Sequence, residues 1–251
     1  MAARMTQILR NIPFIVSEHW SGFVTGAFDR RSGTWKGMVR RMARRASFVT
    51  APSKFLLEKM RMSGIDGKLV VLPNVIDFPA QLTAPSQDGI VRILVVADLV
   101  DEIKNISGIL EAYSQLDVGS RTLQLDIVGD GPDKKMLEAK AQLLQRPAAT
   151  IQFHGRVDNK TVYDFLSSCS FLVMNSRTET FSMICAEALA CGRPVVATRC
   201  GGPDEYLTPA CGILITPGST NELLEAMQHM INDYQNYQPD QLQAVASQFA
   251  P

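Results

Sequence analysis

The sequence predicts an α/β fold organised around a doubly wound parallel sheet. Apolar runs of about four to six residues alternate with stretches of helical period along most of the chain, the pattern of βαβ units. Turn-forming residues such as Gly129-Asp130-Gly131-Pro132 close the runs. At 251 residues, 46% of them hydrophobic, a chain of this size buries roughly 70–75% of its unfolded surface and supports one large or two small domains.

Taken in order, residues 12–16 read as a strand that ends at Ser17, Glu18 and His19. A basic helix follows over 35–45, then a strand over 46–50 stopped by Pro52. Ser53 is placed to cap a helix running to residue 60, because its hydroxyl can take up a free helix N–H. A third strand over 69–72 stops at Pro73-Asn74, and Pro79, Pro85, Ser86 and Gly89 mark a looser linker. The pattern then restarts with strands over 91–96, 123–128, 151–153, 171–174, 194–198 and 212–215. Helices are expected over 105–116, 134–144, 161–168, 182–190 and 221–233. Right-handed crossovers wind such strands into a sheet whose ligands sit beyond the strands' carboxyl ends.

Composition excludes several classes. Lys+Arg and Asp+Glu number 25 each, so the chain is no general polyanion or nucleic-acid binder. No apolar run approaches the ~20 residues that span a bilayer. Cys169, Cys185, Cys191, Cys200 and Cys211 are odd in number and never spaced CxxC, which argues for buried reduced thiols rather than disulfides or a zinc site. Met1 to Arg10 lacks the apolar core of a secretory signal.

The densest chemistry lies between Asn175 and Glu187. A strand ends, a polar loop follows, and a helix begins near Ser182, where free N–H groups and the helix dipole favour a phosphate. Glu179 and Glu187 flank that helix start. Touching a phosphate they would repel it; as acceptors for sugar hydroxyls on either side of a diphosphate they make sense. On spacing alone, the pair also fits a capping carboxylate and a surface helix glutamate.

Glu179-x7-Glu187, followed by Ala188-Leu-Ala-Cys-Gly192-Arg-Pro194 and Gly201-Gly202-x-x-Glu205, resembles the signature of the retaining GT-B glycosyltransferases, the glycosyl transferases group 1 or family 4. Val128-Gly129-Asp130-Gly131-Pro132, Phe153-His154-Gly155-Arg156-Val157 and Pro73-Asn74-Val75-Ile76-Asp77 resemble further segments of that family, in its order. The resemblance implies an α/β GT-B protein: a Rossmann-like parallel-sheet donor domain preceded by part of a second Rossmann-like domain. It divides the chain into an acceptor-side part over 1–77, a linker over 78–90, a nucleotide-sugar donor domain over 91–235, and the start of crossover helices over 236–251. Set against the family, the chain reads as truncated at both ends.

Carried over by the resemblance, Glu187 would hold ribose hydroxyls and Glu179 the donor sugar. Phe181, Ser182 and Met183 would present backbone to sugar and phosphate, Arg156 and Val157 would frame the base, and Lys104 would meet the diphosphate. His19 is either an acceptor-side histidine of the cleft or a strand-end histidine bonded to backbone. His154 and His229 read as structural. No metal or other cofactor is expected, since no DxD-type carboxylate cluster is evident. The family usually has Arg where this chain has Asp98, and Arg177 is the candidate compensating cation. Glu179-Thr180-Phe181-Ser182 stands where the family has Glu-Gly-Phe-Gly.

The expected activity is transfer of a hexose, with retention, from a UDP- or GDP-sugar to a hydroxyl acceptor in glycan, exopolysaccharide or envelope synthesis. The alternative is a non-catalytic or partner-dependent nucleotide-sugar-binding fragment. A GT-B epimerase shares the fold, but the Glu179/Glu187 signature argues against it. The implied partners are a nucleotide-sugar donor, a glycan or lipid-linked acceptor, and the lacking N-terminal half in trans. Arg40 to Arg45 offers either a peripheral membrane contact or a solvated helix face. The expected location is cytoplasmic, at the inner membrane face if that helix meets lipid.

Overall fold

A computed structural model describes residues 13–79, 81–82 and 88–251. The readings on Met1 to Arg10, on Ile12 and on part of the linker lie outside the described residues. The chain forms two compact units: the first takes in the described residues up to Asn74 plus Thr178–Phe181, and the second Val75–Arg177 and Ser182–Pro251.

The first unit holds three parallel strands in the order β1 (Ile15–Ser17), β2 (Phe48–Ala51), β3 (Leu69–Val71). Helix α1 (Gly33–Arg45) begins at Ser32, whose side chain accepts from the Trp35 amide, and ends on Arg44 and Arg45, which suit the negative end of the dipole. Helix α2 (Lys54–Met62) begins at Ser53, which accepts from the Leu56 amide at 3.1 Å, the expected cap. Strand alternation sends Val16, Val49, Ala51, Leu69 and Val71 to a core shared with Phe23, Phe28, Leu56, Leu57 and Met60. On the other face Ile15, Phe48 and Val70 are exposed.

The second unit is a six-stranded sheet in the order β6-β5-β4-β7-β8-β9, parallel throughout. Its strands are β4 (Ile90–Val96), β5 (Thr122–Val128), β6 (Ala149–Gly155), β7 (Phe171–Met174), β8 (Val195–Thr198) and β9 (Gly212–Ile215). The helices are α3 (Asp101–Lys104), α4 (Ile106–Gln115), α5 (Lys134–Leu144), α6 (Asn159–Ser168), α7 (Met183–Ala190), α8 (Thr220–Asp233) and α9 (Pro239–Ala246). Val91, Ile93, Val95, Leu123, Leu125, Ile127, Phe171 and Val173 share one core with α4, α5 and α8. The alternate residues Leu94, Leu172, Met174, Val195 and Ala197 are buried too. Burial on both faces explains why these strands read as continuous apolar runs.

Several expected elements shift. The strand expected over 46–50 forms at 48–51, because Ala46 closes α1 by donating to Met42 and Ala43. The strand expected over 151–153 extends to Ala149–Gly155, paired along most of β5. The helix expected over 105–116 forms at Ile106–Gln115, and a short helix that was not expected, Asp101–Lys104, precedes it across Asn105, whose backbone is left-handed (φ 49°, ψ 46°). Helix α9 falls within the stretch over 236–251 read as the start of crossover helices: Pro239 sits in its first turn, as suits a residue without an N–H, and it buries Leu242 and Ala246 against α7. None of the five cysteines is in a disulfide and all are buried, as expected. Among the described residues no helix is long and apolar enough to cross a membrane.

Candidate functional site

The strand order locates the site. From β4 the chain winds outward through β5 to β6, then returns to lay β7 against the other side of β4 before continuing to β8 and β9. The winding reverses between β4 and β7, and ligands of open α/β sheets occupy the crevice at the carboxyl end of such a reversal. The loops there are those after Val96 and after Met174.

The loop after β4 lies backbone to backbone against the loop after β5. The Ala97 amide donates to the Val128 carbonyl and the Leu99 amide to the Asp130 carbonyl, each at 3.0 Å. Gly129 makes this approach possible: at φ 138°, a Cβ there would sit 1.8 Å from the Ala97 carbonyl oxygen. The acidic residues of these loops satisfy backbone amides. Asp133 accepts from the Asp101 amide at 2.7 Å, and Asp101 accepts from the Ser107 amide at 2.8 Å. This network shapes α3, whose last residue is Lys104. Asp98 is exposed and pairs with Arg156 at 3.8 Å, across from the loop after β6. Arg156 is thus tied to the residue at the usual Arg position, an arrangement spacing did not suggest. Val157 beside it is half-buried.

After β7, Asn175 and Ser176 are buried, and the Thr198 hydroxyl donates to the Ser176 carbonyl. The Arg177 amide donates to the Ile103 carbonyl at 2.8 Å, and its side chain is exposed. Thr178–Phe181 belongs to the first unit, where the Ser53 hydroxyl donates to the Thr180 carbonyl at 2.6 Å. Glu179 is half-buried there and Phe181 buried. Ser53 is therefore both a helix cap and an anchor for this loop, a second role its sequence position did not reveal. At Ser182 the chain is left-handed (φ 68°, ψ 81°), which turns the backbone into α7. No side chain caps α7, and Met183 stands partly exposed at its start.

Glu187, on the second turn of α7, is half-buried. Burial pushes its carboxyl above the usual range, and the charge of Asp77 adds to the rise. Tyr163, on α6, donates its hydroxyl to the Asp77 carbonyl at 2.9 Å. Its phenol is raised by burial first and by Glu187 next. Glu187, Asp77 and Tyr163 form a group that sequence reasoning named only in part: the linker aspartate was visible, the tyrosine was not.

His19, in the first unit, is exposed. Thr50 donates to Ser17 Oγ at 3.2 Å, and Ser17 Oγ lies 3.0 Å from His19 Nε2. His154 Nε2 lies 2.7 Å from Asp126 Oδ1, a structural pairing at the sheet edge. His229 pairs within α8 with Asp233 at 3.3 Å. Of the basic helix, Arg40 donates to the Ser63 carbonyl and Arg44 pairs with Asp66 at 3.0 Å. Arg193, 1% exposed, donates to the Leu166 and Ser167 carbonyls at the end of α6. Among the described residues no group of three or more His, Cys, Asp or Glu could hold a metal ion.

Of the expected site residues, Lys104, Arg156, Val157, Ser182, Met183 and Glu187 lie in the second unit, on the loops after β4 and β6 and on the β7–α7 turn and helix. Glu179, Phe181 and His19 belong to the first unit.

Known proteins share this chain's pattern. An uncharacterized glycosyltransferase of Methanocaldococcus jannaschii is 31% identical over 131 residues, 52% of this chain and 35% of that one. A GDP-mannose-dependent alpha-mannosyltransferase of Mycobacterium tuberculosis is 33% identical over 120 residues, 47% of this chain and 30% of that one. The chain thus spans about a third of the length of these curated relatives. Among solved structures, Anabaena Alr3699/HepE in complex with UDP and glucose superposes with a TM-score of 0.82 at 23% identity, covering 99% of this chain and 71% of that one. The lipopolysaccharide outer core galactosyltransferase WaaB superposes at 0.74 and 21% identity, covering 99% and 74%. At those identities the likeness is one of fold. The profile described as Glycosyltransferase Family 4 matches residues 1–78. The profile described as Glycosyl transferases group 1 matches residues 81–246, two thirds of the chain, and the chain belongs to that family of GT-B proteins.

Proposed function

We propose that the chain is the nucleotide-sugar-binding part of a retaining glycosyltransferase that moves a hexose from a UDP- or GDP-sugar to a hydroxyl acceptor in glycan, exopolysaccharide or envelope synthesis. One observation carries the reading: at the β4/β7 reversal, the loop after β4 that ends in Lys104 is bonded, through the Ile103 carbonyl, to the loop after β7 that leads into a helix start with no side-chain cap. A cation and an uncapped helix start at one crevice suit a diphosphate leaving group, whose charge grows as the glycosidic bond breaks. Family membership and the UDP complexes of HepE support the same choice of ligand.

In this reading Glu187 accepts from ribose hydroxyls, Glu179 from the donor sugar, and Arg156 and Val157 flank the base. Phe181, Ser182 and Met183 present their backbone, and His19 lies on the acceptor side. The acceptor oxygen bonds to the anomeric carbon on the face from which the diphosphate departs. A leaving phosphate oxygen takes the acceptor's proton, so no protein nucleophile is required and no metal is invoked. In this reading the enzyme works in the cytoplasm, at the inner membrane face if the helix stretch Arg40 to Arg45 meets anionic lipid.

A second reading rests on the Asp98–Arg156 pair: an anion stands near the proposed diphosphate and engages a cation of the site. That arrangement suits a chain that binds nucleotide sugars without turnover, or one that works only with a partner supplying an acceptor domain. Calorimetric titration with UDP, GDP and ADP, then with sugar conjugates of whichever binds, tests both. Saturable binding of UDP or GDP is expected; a folded, monodisperse chain that binds none of the three overturns the donor-site reading. Sugar transfer or hydrolysis of the bound conjugate then separates enzyme from binder.

A further inference from the structure

Two side-by-side bonds cross the crevice between β4 and β7. Asn175, the residue after β7, is 3% exposed, and its Nδ2 donates to the Asn105 carbonyl at 3.1 Å. Two residues later, the Arg177 amide donates to the Ile103 carbonyl at 2.8 Å. Both acceptors lie in the turn that ends α3. Asn105 is left-handed (φ 49°), a region disfavoured for residues with a Cβ and kept only where the surroundings over-determine it. Apart from Asn175, its carbonyl has a long bond from the Ile109 amide at 3.4 Å. Without the side-chain donor, the right-handed region that residues with a Cβ prefer competes at Asn105. Changing one residue from left- to right-handed helix re-aims every residue before it, beginning with Lys104.

We propose that Asn175 is a positioning residue: through the left-handed turn at Asn105 it holds Lys104 at the crevice, and so sets the affinity for a nucleoside diphosphate without touching it. The inference rests on the donor-site reading above for its ligand, and on the geometry of the turn for its mechanism. It also ties the loop after β7 to the loop after β4, so that neither changes shape alone.

The test uses the whole chain and the isosteric N175D, whose carboxylate accepts but does not donate. N175A stands in if the aspartate prevents folding. Titration with UDP and GDP, against UMP and GMP, reads the diphosphate contribution. Nucleoside diphosphate binding should weaken about five- to tenfold, with monophosphate binding changed less than about twofold. K104A should show the same selectivity loss, and the double variant should be no weaker than K104A alone, since both remove one interaction. Asn105→Gly, which adopts a positive φ freely, should restore most of the affinity lost in N175D. Hydrogen exchange supplies a readout free of ligand: amides of 101–108 should exchange about tenfold faster in N175D, with 134–144 unchanged.

Equal losses for mono- and diphosphates, additivity with K104A, or no rescue by Asn105→Gly would overturn the proposal. If the unmodified chain binds neither UDP nor GDP, the donor-site reading falls on its own. Exchange then decides the turn: unchanged rates at 101–108 sink the brace, and faster rates reversed by Asn105→Gly uphold it.

Discussion

The Tyr206 hydroxyl donates to the carbonyl of Ser182 at 2.9 Å. The bond links the segment after β8 to the left-handed residue that opens α7, and Tyr206 is itself held edge-on against Phe249 with ring centroids 5.2 Å apart. The start of α7 is therefore shaped by two distant stretches of chain. Tyr206→Phe should cost about 1–3 kcal/mol, the range for a buried acceptor losing its donor. A lower denaturant midpoint at unchanged slope would show it; an unchanged midpoint would mean that α7 is held without this bond.

Ser182 occupies a conformation that glycine adopts without a Cβ penalty. Its φ of 68° costs a side-chain-bearing residue about 1–2 kcal/mol, offset in part by the greater freedom glycine has when unfolded. Ser182→Gly should therefore stabilise the chain by about 0.5–1 kcal/mol. Ser182→Ala, which keeps the strain and loses the hydroxyl near Cys185, should not stabilise it. A Gly variant with a lower melting temperature would show that the Ser182 hydroxyl outweighs the backbone strain.

Glu187 is held above the usual carboxyl range by burial and by Asp77. A carboxyl whose folded pKa exceeds its unfolded value stabilises the fold fully below the unfolded value and loses that stabilisation as pH rises through the folded one. The unliganded chain should thus lose stability as pH climbs from about 4.5 through the raised value. Glu187→Gln should flatten that slope and raise the melting temperature at pH 7, while weakening binding of UDP or GDP. A variant that melts lower at neutral pH would contradict the assignment; a trade of stability for binding is expected at functional carboxyls.

Gly129 has no room for a methyl group, since a Cβ would lie 1.8 Å from the Ala97 carbonyl oxygen. Gly129→Ala must push the loop after β5 away from the loop after β4, and should destabilise the chain by more than about 3 kcal/mol. Loss of soluble folded protein, or a melting temperature lower by many degrees, is the expected readout. A near-native melting curve would mean that the two loops separate easily.

Asp98 and Arg156 are about three-quarters exposed, and their 3.8 Å pair should contribute little to stability. Asp98→Arg should leave the melting temperature within about a degree, while tightening nucleoside diphosphate binding by replacing an anion with a cation. Weaker binding would show that the Asp98–Arg156 contact itself orients the base-side loop.

The segment from Asn175 to Glu187 was legible because its information is local. A strand end, a polar loop and a helix start follow one another within a few residues, and the family signature sits on them. The same holds for Ser53: a hydroxyl before a periodic run states its own capping role. Its bond to Thr180 was not legible, since 127 residues separate the partners. The left-handed turn at Asn105 was likewise hidden, because the Asn175 side chain that bonds its carbonyl lies 70 residues away.

By itself the sequence determined the order and type of nearly all strands and helices, because apolar period and turn chemistry act over a few residues. It also determined the parallel, doubly covered sheet of the second unit, because strands buried on both faces must be apolar throughout. Tertiary structure alone decided which strands are neighbours, and hence that the winding reverses between β4 and β7. It also decided that Tyr163 joins Asp77 and Glu187, and that Asn175 holds Asn105. Each of these depends on groups far apart in the chain, whose meeting is set by packing the whole sheet rather than by any local preference.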